Sequence, residues 1–197
     1  MSSVPAQSWD TLRTVARSTE VDRPMYNRPN VVKSIIAAVE RDDSQTWDSS
    51  AQEFPPCVRL DFEGLTRFEV VSDQYKRWGV RFDNAIAVTP SNPAYPTHSG
   101  DIVLMAAPKS GFLELTFERP VQFVSGYVTS SRFTAMSAYN HLGQTITRAE
   151  LPAANLANSD SAVEPNQQLI VRSPDIHRVT FYAFDGELVV DDISFGY

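Results

Sequence analysis

The chain has 197 residues, of which 42% are hydrophobic and 21% are charged, and its formal net charge is −7. This length and composition fit one globular domain of about 140 residues with an extension. The acidic balance argues against broad binding to nucleic-acid phosphates or to an anionic membrane surface, because both require clustered lysine and arginine. The single cysteine, Cys57, excludes an internal disulfide and a cysteine-rich zinc site.

Neither a membrane-spanning segment nor a secretory signal is recognised in the sequence. No apolar run approaches the ~20 residues that a membrane-spanning helix needs. The first residues also lack a basic start followed by an apolar block. We therefore expect no membrane span, and a cytoplasmic location is the default expectation.

Residues 1–56 are predicted to form a mostly helical and irregular N-terminal extension. The main helix is predicted over residues 30–41, where five apolar residues recur at helical spacing: Val31, Val32, Ile35, Ile36 and Val39. A shorter helix is predicted over residues 8–18. These helices either cover the following domain or dock on another molecule, so residues 8–41 are a candidate surface for a protein partner or for self-association.

Residues 57–197 are predicted to form an antiparallel jelly-roll β-sandwich, which places the chain in the all-β class. From Cys57 onward, apolar and polar side chains alternate, as is typical of strands with one buried face. The short alternating segments are separated by turn sequences such as "APKSG", "NHLG" and "FDGE". Many short strands with frequent turns indicate a sandwich or a barrel.

Several carboxylates occupy positions that the alternation makes informative. Asp191 shares its side of the last strand with Ile193 and Phe195, so it is expected to face the core. A buried carboxylate needs a metal ion, an arginine or several N–H donors. Asp61 and Glu63 lie together on the polar side at the end of the first strand. The two groups of carboxylates can meet if the first and last strands are neighbours.

A calcium site is one interpretation of these carboxylates. The connection "SNPAYPTHSGD" ends in Asp101, and its backbone and side-chain oxygens can add to the ligand set. Ca²⁺ is held by six to eight oxygen ligands, often including loop carbonyls. The competing interpretation is that Asp191 pairs with an arginine such as Arg81 and that Asp61 is solvated.

Six segments in order carry a resemblance to a known family: "VRLDFEGL", "QYKRWGVRFDNAIAVTP", "NPAYPTHSGDIVLMA", "LELTFERPVQFVSGYVT", "MSAYNHLGQTITRAEL" and "HRVTFYAFDGELVVDDISF". Over residues 57–197 the chain resembles bacterial jelly-roll domains that are often exported with a PEP-CTERM sorting tail. These domains are similar to calcium-containing carbohydrate-binding modules of the galactose-binding-like fold. The resemblance implies a structural Ca²⁺ held by Glu63, the loop from Ser99 to Asp101, and Asp191, with Asp192 as a weaker candidate.

A sugar-binding module also needs aromatic rings that stack on pyranose faces, with polar groups around them. Tyr95, Trp78 and Tyr139 are the candidate ligand-binding residues. Tyr95 lies between Pro93 and Pro96 in a stiffened loop and is expected to be exposed. Trp78 lies in "RWGVRF", a context that equally fits a packed side chain.

Catalysis finds little support in the sequence, since no nucleophile elbow, zinc-protease motif or phosphate loop is present. The primary hypothesis is a non-catalytic, calcium-stabilised binding or interaction module, with a carbohydrate as the candidate ligand. One alternative is a calcium-dependent cyclase or isomerase acting on a small molecule, with Asp185, Asp73 and Tyr139 as candidate residues. A second alternative is a structural subunit that docks through its N-terminal helices.

Overall fold

The computed structural model describes residues 34–39, 56–107, 109 and 111–197. All of them lie in one compact unit that spans Val32–Tyr197. Their regular structure is a set of β-strands and a short 3₁₀ helix at Lys76–Trp78. The strands are β1 (Ser34–Ile36), β2 (Cys57–Leu60), β3 (Val70–Val71), β4 (Val80–Asp83), β5 (Ala85–Val88), β6 (Val103–Ala106), β7 (Phe112–Ser130), β8 (Thr134–Tyr139), β9 (Thr145–Leu151), β10 (Gln167–Tyr182) and β11 (Leu188–Gly196).

The predicted all-β class is confirmed for the part of the chain that the structure describes. Apart from the pairing of β1 with β2, the strand pairs are antiparallel. Within the described residues, no helix is long and apolar enough to cross a membrane.

Two long strands, β7 and β10, organise the sheet into two layers. The first part of β7 pairs with β4 and with the last part of β10, whereas its second part pairs with β11 and with the first part of β10. Pro120 lies between the two parts of β7, and the pairing of β10 with β7 shifts register between Arg172 and Arg178. Such bulges bend a strand and increase its twist. Each long strand therefore contributes to both layers.

The first layer runs β4–β7–β10–β8–β9, and the second runs β3–β5–β6–β11–β7–β10 with β2 beside β11. The core lies between them. The ring of Phe117 on β7 packs 5.1 Å from that of Phe195 on β11, and Phe82 on β4 packs 6.2 Å from Phe62, which follows β2. These contacts join side chains of opposite layers, as in a β-sandwich.

The predicted helix over residues 30–41 is wrong at residues 34–36, which form the strand β1. Ser34 pairs with Cys57 and Ile36 pairs with Arg59, in parallel, and the N–H of Ala37 donates to the carbonyl of Arg59 at 2.8 Å. β-branched isoleucine is at least as favourable in a strand as in a helix, and the open edge of β2 supplies the backbone partners.

Residues 34–39 therefore pack on the sandwich, with Ala37 buried and Val39 against the core. The predicted helix over residues 8–18 lies outside the described residues. The division of the chain into residues 1–56 and 57–197 stays a prediction.

Candidate functional site

The long connection between β5 and β6 is anchored by acidic residues from the first and last strands of the sandwich. Glu63, just after β2, accepts hydrogen bonds at Oε1 from the backbone N–H groups of Asp101 (3.1 Å) and Ile102 (3.0 Å). Gly100 makes this approach possible. Its φ is +55°, and a Cβ at this position would lie 2.3 Å from the carboxyl carbon of Glu63. Only glycine combines this backbone conformation with the required space.

Asp191 anchors the same connection from β11. Its side chain is buried, with 1% exposure. Oδ2 accepts hydrogen bonds from the backbone N–H groups of His98 (2.7 Å) and Ser99 (3.1 Å), and Oδ1 accepts one from Asp192 (2.7 Å). Burial raises the pKa of Asp191, although the N–H donors act in the opposite direction. The inward orientation predicted for Asp191 is confirmed, and N–H donors compensate its charge.

The alternative pairing of Asp191 with Arg81 is wrong. The guanidinium of Arg81 lies 3.4 Å from the carboxylate of Asp73 and 3.9 Å from that of Glu118. Arg81 is on β4, in the opposite layer from Asp191.

Asp192 is also buried, at 2% exposure, because β11 carries a bulge at this point. The pairing with β7 shifts register between Asp191 and Ser194, and Asp192 adopts a φ of +47°. Its Oδ1 accepts from Arg59 at 2.7 Å, and its Oδ2 lies 2.6 Å from Nδ1 of His98. Burial by itself raises the pKa of Asp192, but the hydrogen bonds from His98 and Arg59 outweigh burial and lower it.

The imidazole of His98 is held on two sides. One side contacts Asp192, and the ring stacks on Tyr127 of β7 with centroids 3.4 Å apart and planes 13° apart. The histidine thereby links the loop to both β11 and β7. The sequence alone assigned no role to His98.

The structure thus places Asp101 beside Glu63 and Ser99 beside Asp191 along one loop. Their oxygen donors suit a hard cation such as Ca²⁺ in kind. Asp192 does not fit as a cation ligand, because Arg59 and His98 already face its two oxygens.

Tyr95 does not present an exposed ring, and the expectation from the sequence is wrong. Its side chain is 7% exposed and packs with Val88, Val103 and Val189 in a small cluster beneath the loop. Its hydroxyl donates to Oε2 of Glu187 at 3.0 Å. Burial and this hydrogen bond raise the pKa of Tyr95 to about 12. The flanking prolines direct the ring onto the sandwich instead of into solvent.

Trp78 is half-buried and packs against the main core. Its Nε1 donates to the carbonyl of Ala38 at 3.0 Å, and the guanidinium of Arg77 lies 4.7 Å from its ring centre. The side chain fastens the segment after β1 to the sandwich, which corresponds to the packed interpretation.

Tyr139 lies on a polar, solvent-facing surface of the first layer. Residues directly opposite each other on antiparallel strands point to the same side of a sheet. The registers of β10 with β8 and with β7 therefore define one surface, which we call the outer face. Its residues are Phe112, Glu114, Thr116, Ala135, Ser137, Tyr139, Arg178, Thr180 and Tyr182.

Aromatic rings and charged groups are interleaved on the outer face. The guanidinium of Arg178 lies 4.2 Å from the ring centre of Tyr139 and 3.1 Å from Oε2 of Glu114. The ring of Tyr182 is 43% exposed and meets Phe112 edge to face at 6.3 Å. Neighbouring side chains thus hold the ring of Tyr182 and the guanidinium of Arg178 in place in the absence of a ligand.

Sequence reasoning found Tyr139 and missed the other members of the outer face. The alternation in "FLELTFE" and "HRVTFYAF" was the available signal, since Glu114, Arg178 and Tyr182 all occupy the side opposite to the buried positions. Knowing which strands are neighbours was needed to place them on one surface.

A groove of about 590 Å³ lies at the β9 edge, between β9 and the beginning of β10. Polar side chains such as Glu150, Glu164 and Gln167 line it together with aliphatic ones, and none of its lining residues is aromatic. Glu150 is opposite Ala135 on β8 and therefore also borders the outer face. The groove offers hydrogen bonds without a stacking ring.

Comparisons with known proteins find distant structural likenesses. No protein-family model matches the chain and no curated protein matches it, so the PEP-CTERM resemblance has no such support. A family 61 carbohydrate-binding module solved with β-1,4-galactotriose is 14% identical, over 59% of this chain and 82% of its own, with a TM-score of 0.33. The CBM22-1 xylan-binding domain of Paenibacillus barcinonensis Xyn10C is 14% identical, over 66% and 90%, with a TM-score of 0.35. A DUF4465 protein of Bacteroides caccae is 12% identical, over 59% and 72%, with a TM-score of 0.36. Likenesses of this size assign neither a family nor a ligand to this chain.

Proposed function

We propose that this chain is a non-catalytic glycan-binding module built on a jelly-roll sandwich, and that the glycan lies across the outer face. The observation that carries the proposal is the interleaving of Tyr139, Arg178 and Tyr182 on a solvent-facing sheet. Sugar rings expose C–H faces that stack on aromatic rings, and their hydroxyl groups hydrogen-bond to charged side chains.

The principal stacking ring in this proposal is Tyr182. Arg178 covers one face of Tyr139, whereas Tyr182 makes edge-to-face contacts with Phe112 and Phe184 and is 43% exposed. The ion pair between Arg178 and Glu114 presents a donor and an acceptor side by side. Adjacent sugar hydroxyls each offer one donor and acceptors, so a pair of this kind can bind two of them together.

The same geometry supports a binding role over a catalytic one. Asp73 and Asp185, the acids considered for a cyclase, are exposed, and Asp73 pairs with Arg81 at 3.4 Å. A catalytic acid in this type of reaction requires a sheltered pocket that perturbs its protonation. Neither acid lies in a sheltered position.

A panel of soluble glucans, xylans, mannans and galactans tests the proposal, with binding measured by affinity electrophoresis and isothermal titration calorimetry. We expect Tyr182→Ala and Arg178→Ala to weaken binding to the best ligand by about tenfold or more, since stacking of a nucleic-acid base on one ring contributes about 1–3 kcal/mol and we expect a comparable contribution from a sugar face. Phe68→Ala is the matched control, because Phe68 is 78% exposed and lies outside the outer face. No binding across the panel, or equal weakening by all three variants, would refute the proposal.

We further propose that Ca²⁺ reinforces the anchored connection, with Glu63, Ser99, Asp101 and Asp191 as its ligands. The support is that Glu63, next to β2, and Asp191, on β11, both hold the same loop by accepting hydrogen bonds from its backbone N–H groups. A bound Ca²⁺ would replace some of these N–H donors. When bound, the ion would supply a cross-link between the loop and the last strand. It would leave the outer face unchanged, so the glycan and calcium proposals fail independently.

Thermal melts with added Ca²⁺ and with a chelator test this second proposal. A ligand that binds the native state alone raises the melting temperature. We expect such a rise in the wild type and a smaller one in Glu63→Gln, whereas Asp185→Asn, an exposed acid elsewhere, should respond like the wild type. Identical melts with Ca²⁺ and with chelator, and no calcium in elemental analysis, would overturn the calcium proposal.

A further inference from the structure

A second cluster of metal-ligand side chains lies where the turn between β8 and β9 meets the bend of β10. It consists of His141, Asp175 and His177. Oδ2 of Asp175 lies 3.4 Å from Nδ1 of His141, and Oδ1 lies 3.1 Å from Nε2 of His177. The two imidazole rings are 5.8 Å apart at an angle of 63°. One ligand atom from each residue lies within 4.8 Å of the other two.

The bulge in β10 creates this arrangement. Ile176 and Val179 are both fully buried, so the strand has two consecutive outward residues, His177 and Arg178, between them. Asp175 and His177 flank the inward Ile176 and therefore point to the same side. The β8–β9 turn then places His141 above them. Two of the three histidines in the whole chain thus meet one carboxylate, although 34 positions separate His141 from Asp175.

We propose that these three residues form a binding site for a divalent transition-metal ion of the zinc class. Zinc bonds of about 2.0–2.2 Å to nitrogen and oxygen place tetrahedral ligand atoms about 3.4 Å apart. The two Asp175 contacts, 3.4 Å from Oδ2 to His141 and 3.1 Å from Oδ1 to His177, are close to that spacing, each through a different carboxylate oxygen. Two imidazoles and one carboxylate select zinc, copper or nickel over calcium, which prefers oxygen ligands alone.

The environment leaves the site accessible to an ion from solution. The side chains of His141, Asp175 and His177 are 61%, 44% and 30% exposed. Three protein ligands leave at least one coordination position for water or for a group from a ligand. The ion would tie the β8–β9 turn to β10 next to Tyr139 and Arg178. The proposal does not depend on glycan binding or on calcium.

Titration of the metal-free chain with Zn²⁺, followed by calorimetry, tests the site. We expect one ion per chain in the wild type. Loss of a partner that merely orients a metal ligand weakens binding by about 10–100-fold, so Asp175→Asn and His177→Gln should each weaken it by about tenfold or more. Asp160→Asn removes an exposed carboxylate elsewhere and is the matched control for charge.

Electron paramagnetic resonance with Cu²⁺ as the probe identifies the ligands directly. The wild type and His98→Gln should show coupling to two imidazole nitrogens, whereas His141→Gln and His177→Gln should each show one at most. Since the side chains of His141, Asp175 and His177 lie at or near the surface, the chelator-treated variants at these three positions are expected to melt like the wild type. No Zn²⁺ binding by the wild type, equal weakening in Asp160→Asn and Asp175→Asn, or a copper spectrum that depends on His98 alone would overturn the proposal.

Discussion

Replacing Gly100 by alanine probes the anchor that holds the β5–β6 connection. The φ of +55° is in the left-handed region, where an L-residue costs about 1–2 kcal/mol. The new Cβ would also lie 2.3 Å from both the carboxyl carbon and Oε1 of Glu63. The carboxylate must therefore move, and it releases the N–H groups of Asp101 and Ile102.

A matched substitution at Gly143, in the β8–β9 turn, separates the cost of the left-handed backbone from the cost of displacing the Glu63 carboxylate. Its φ is +74°, and a Cβ there would meet nothing within 4 Å, so Gly143→Ala incurs the backbone cost alone. The Glu63 hydrogen bonds are charge-assisted, but one is solvent-exposed and the other only partly buried, so together they contribute about 1 kcal/mol. We therefore expect a decrease in the free energy of unfolding of about 2–3 kcal/mol for Gly100→Ala and about 1–2 kcal/mol for Gly143→Ala.

Urea unfolding at pH 7 measures the difference, with Glu63→Ala and the double variant Glu63→Ala/Gly100→Ala included. In the Glu63→Ala background the extra cost at Gly100 should disappear, because no carboxylate remains to be displaced. Equal costs at Gly100 and Gly143, or an extra cost that persists without Glu63, would show that the carboxylate does not anchor the loop.

Two further substitutions test buried polar groups. Arg59→Met should lower the free energy of unfolding by about 2–3 kcal/mol at pH 7. Breaking a fully buried ion pair costs about 3–5 kcal/mol, but the cost here is smaller because Arg59 is 38% exposed and because His98 still contacts Asp192 in the variant. The pKa of Asp192 is lowered in the folded state, so its pairing stabilises the fold above about pH 4, and this stabilisation is lost as the pH falls through the folded-state pKa. The free energies of unfolding of the wild type and the variant, measured in urea across pH, should therefore converge in acid. A difference between them that stays constant with pH would contradict the assignment. Tyr95→Phe should lower the melting temperature by about 2–4 °C, because it removes the hydrogen bond to Glu187, which contributes about 1 kcal/mol. An unchanged melting temperature would mean that the hydroxyl contributes nothing to stability.

The strands and one buried acid could be predicted from the sequence because both follow from period-two alternation. Asp191 shares its side with Ile193 and Phe195, and all three are buried. The same alternation did not predict the burial of Asp192. A bulge in β11 turns it inward as well, and a bulge depends on the partner strand, which the local sequence does not specify.

The remaining differences arise where tertiary contacts override a local pattern. Ile35 and Ile36 fit one face of a helix, yet the free edge of β2 recruits them into a strand. Tyr95 occupies a loop rich in proline, but an apolar cluster beneath the loop offers its ring a better environment than water. The outer face required the pairing of β7, β8 and β10, which joins residues far apart in sequence.

The sharing of β7 and β10 between both layers has a consequence for synthesis of the chain. In the first layer, β7 gains its partner β10 only after β8 and β9 have been made, and in the second layer β11 inserts between β6 and β7. A growing chain on the ribosome therefore carries unpaired apolar strands until β10 and β11 have emerged. Because non-local pairing is slow and leaves strand edges open, we expect the incomplete chain to be prone to aggregation until these two strands are added.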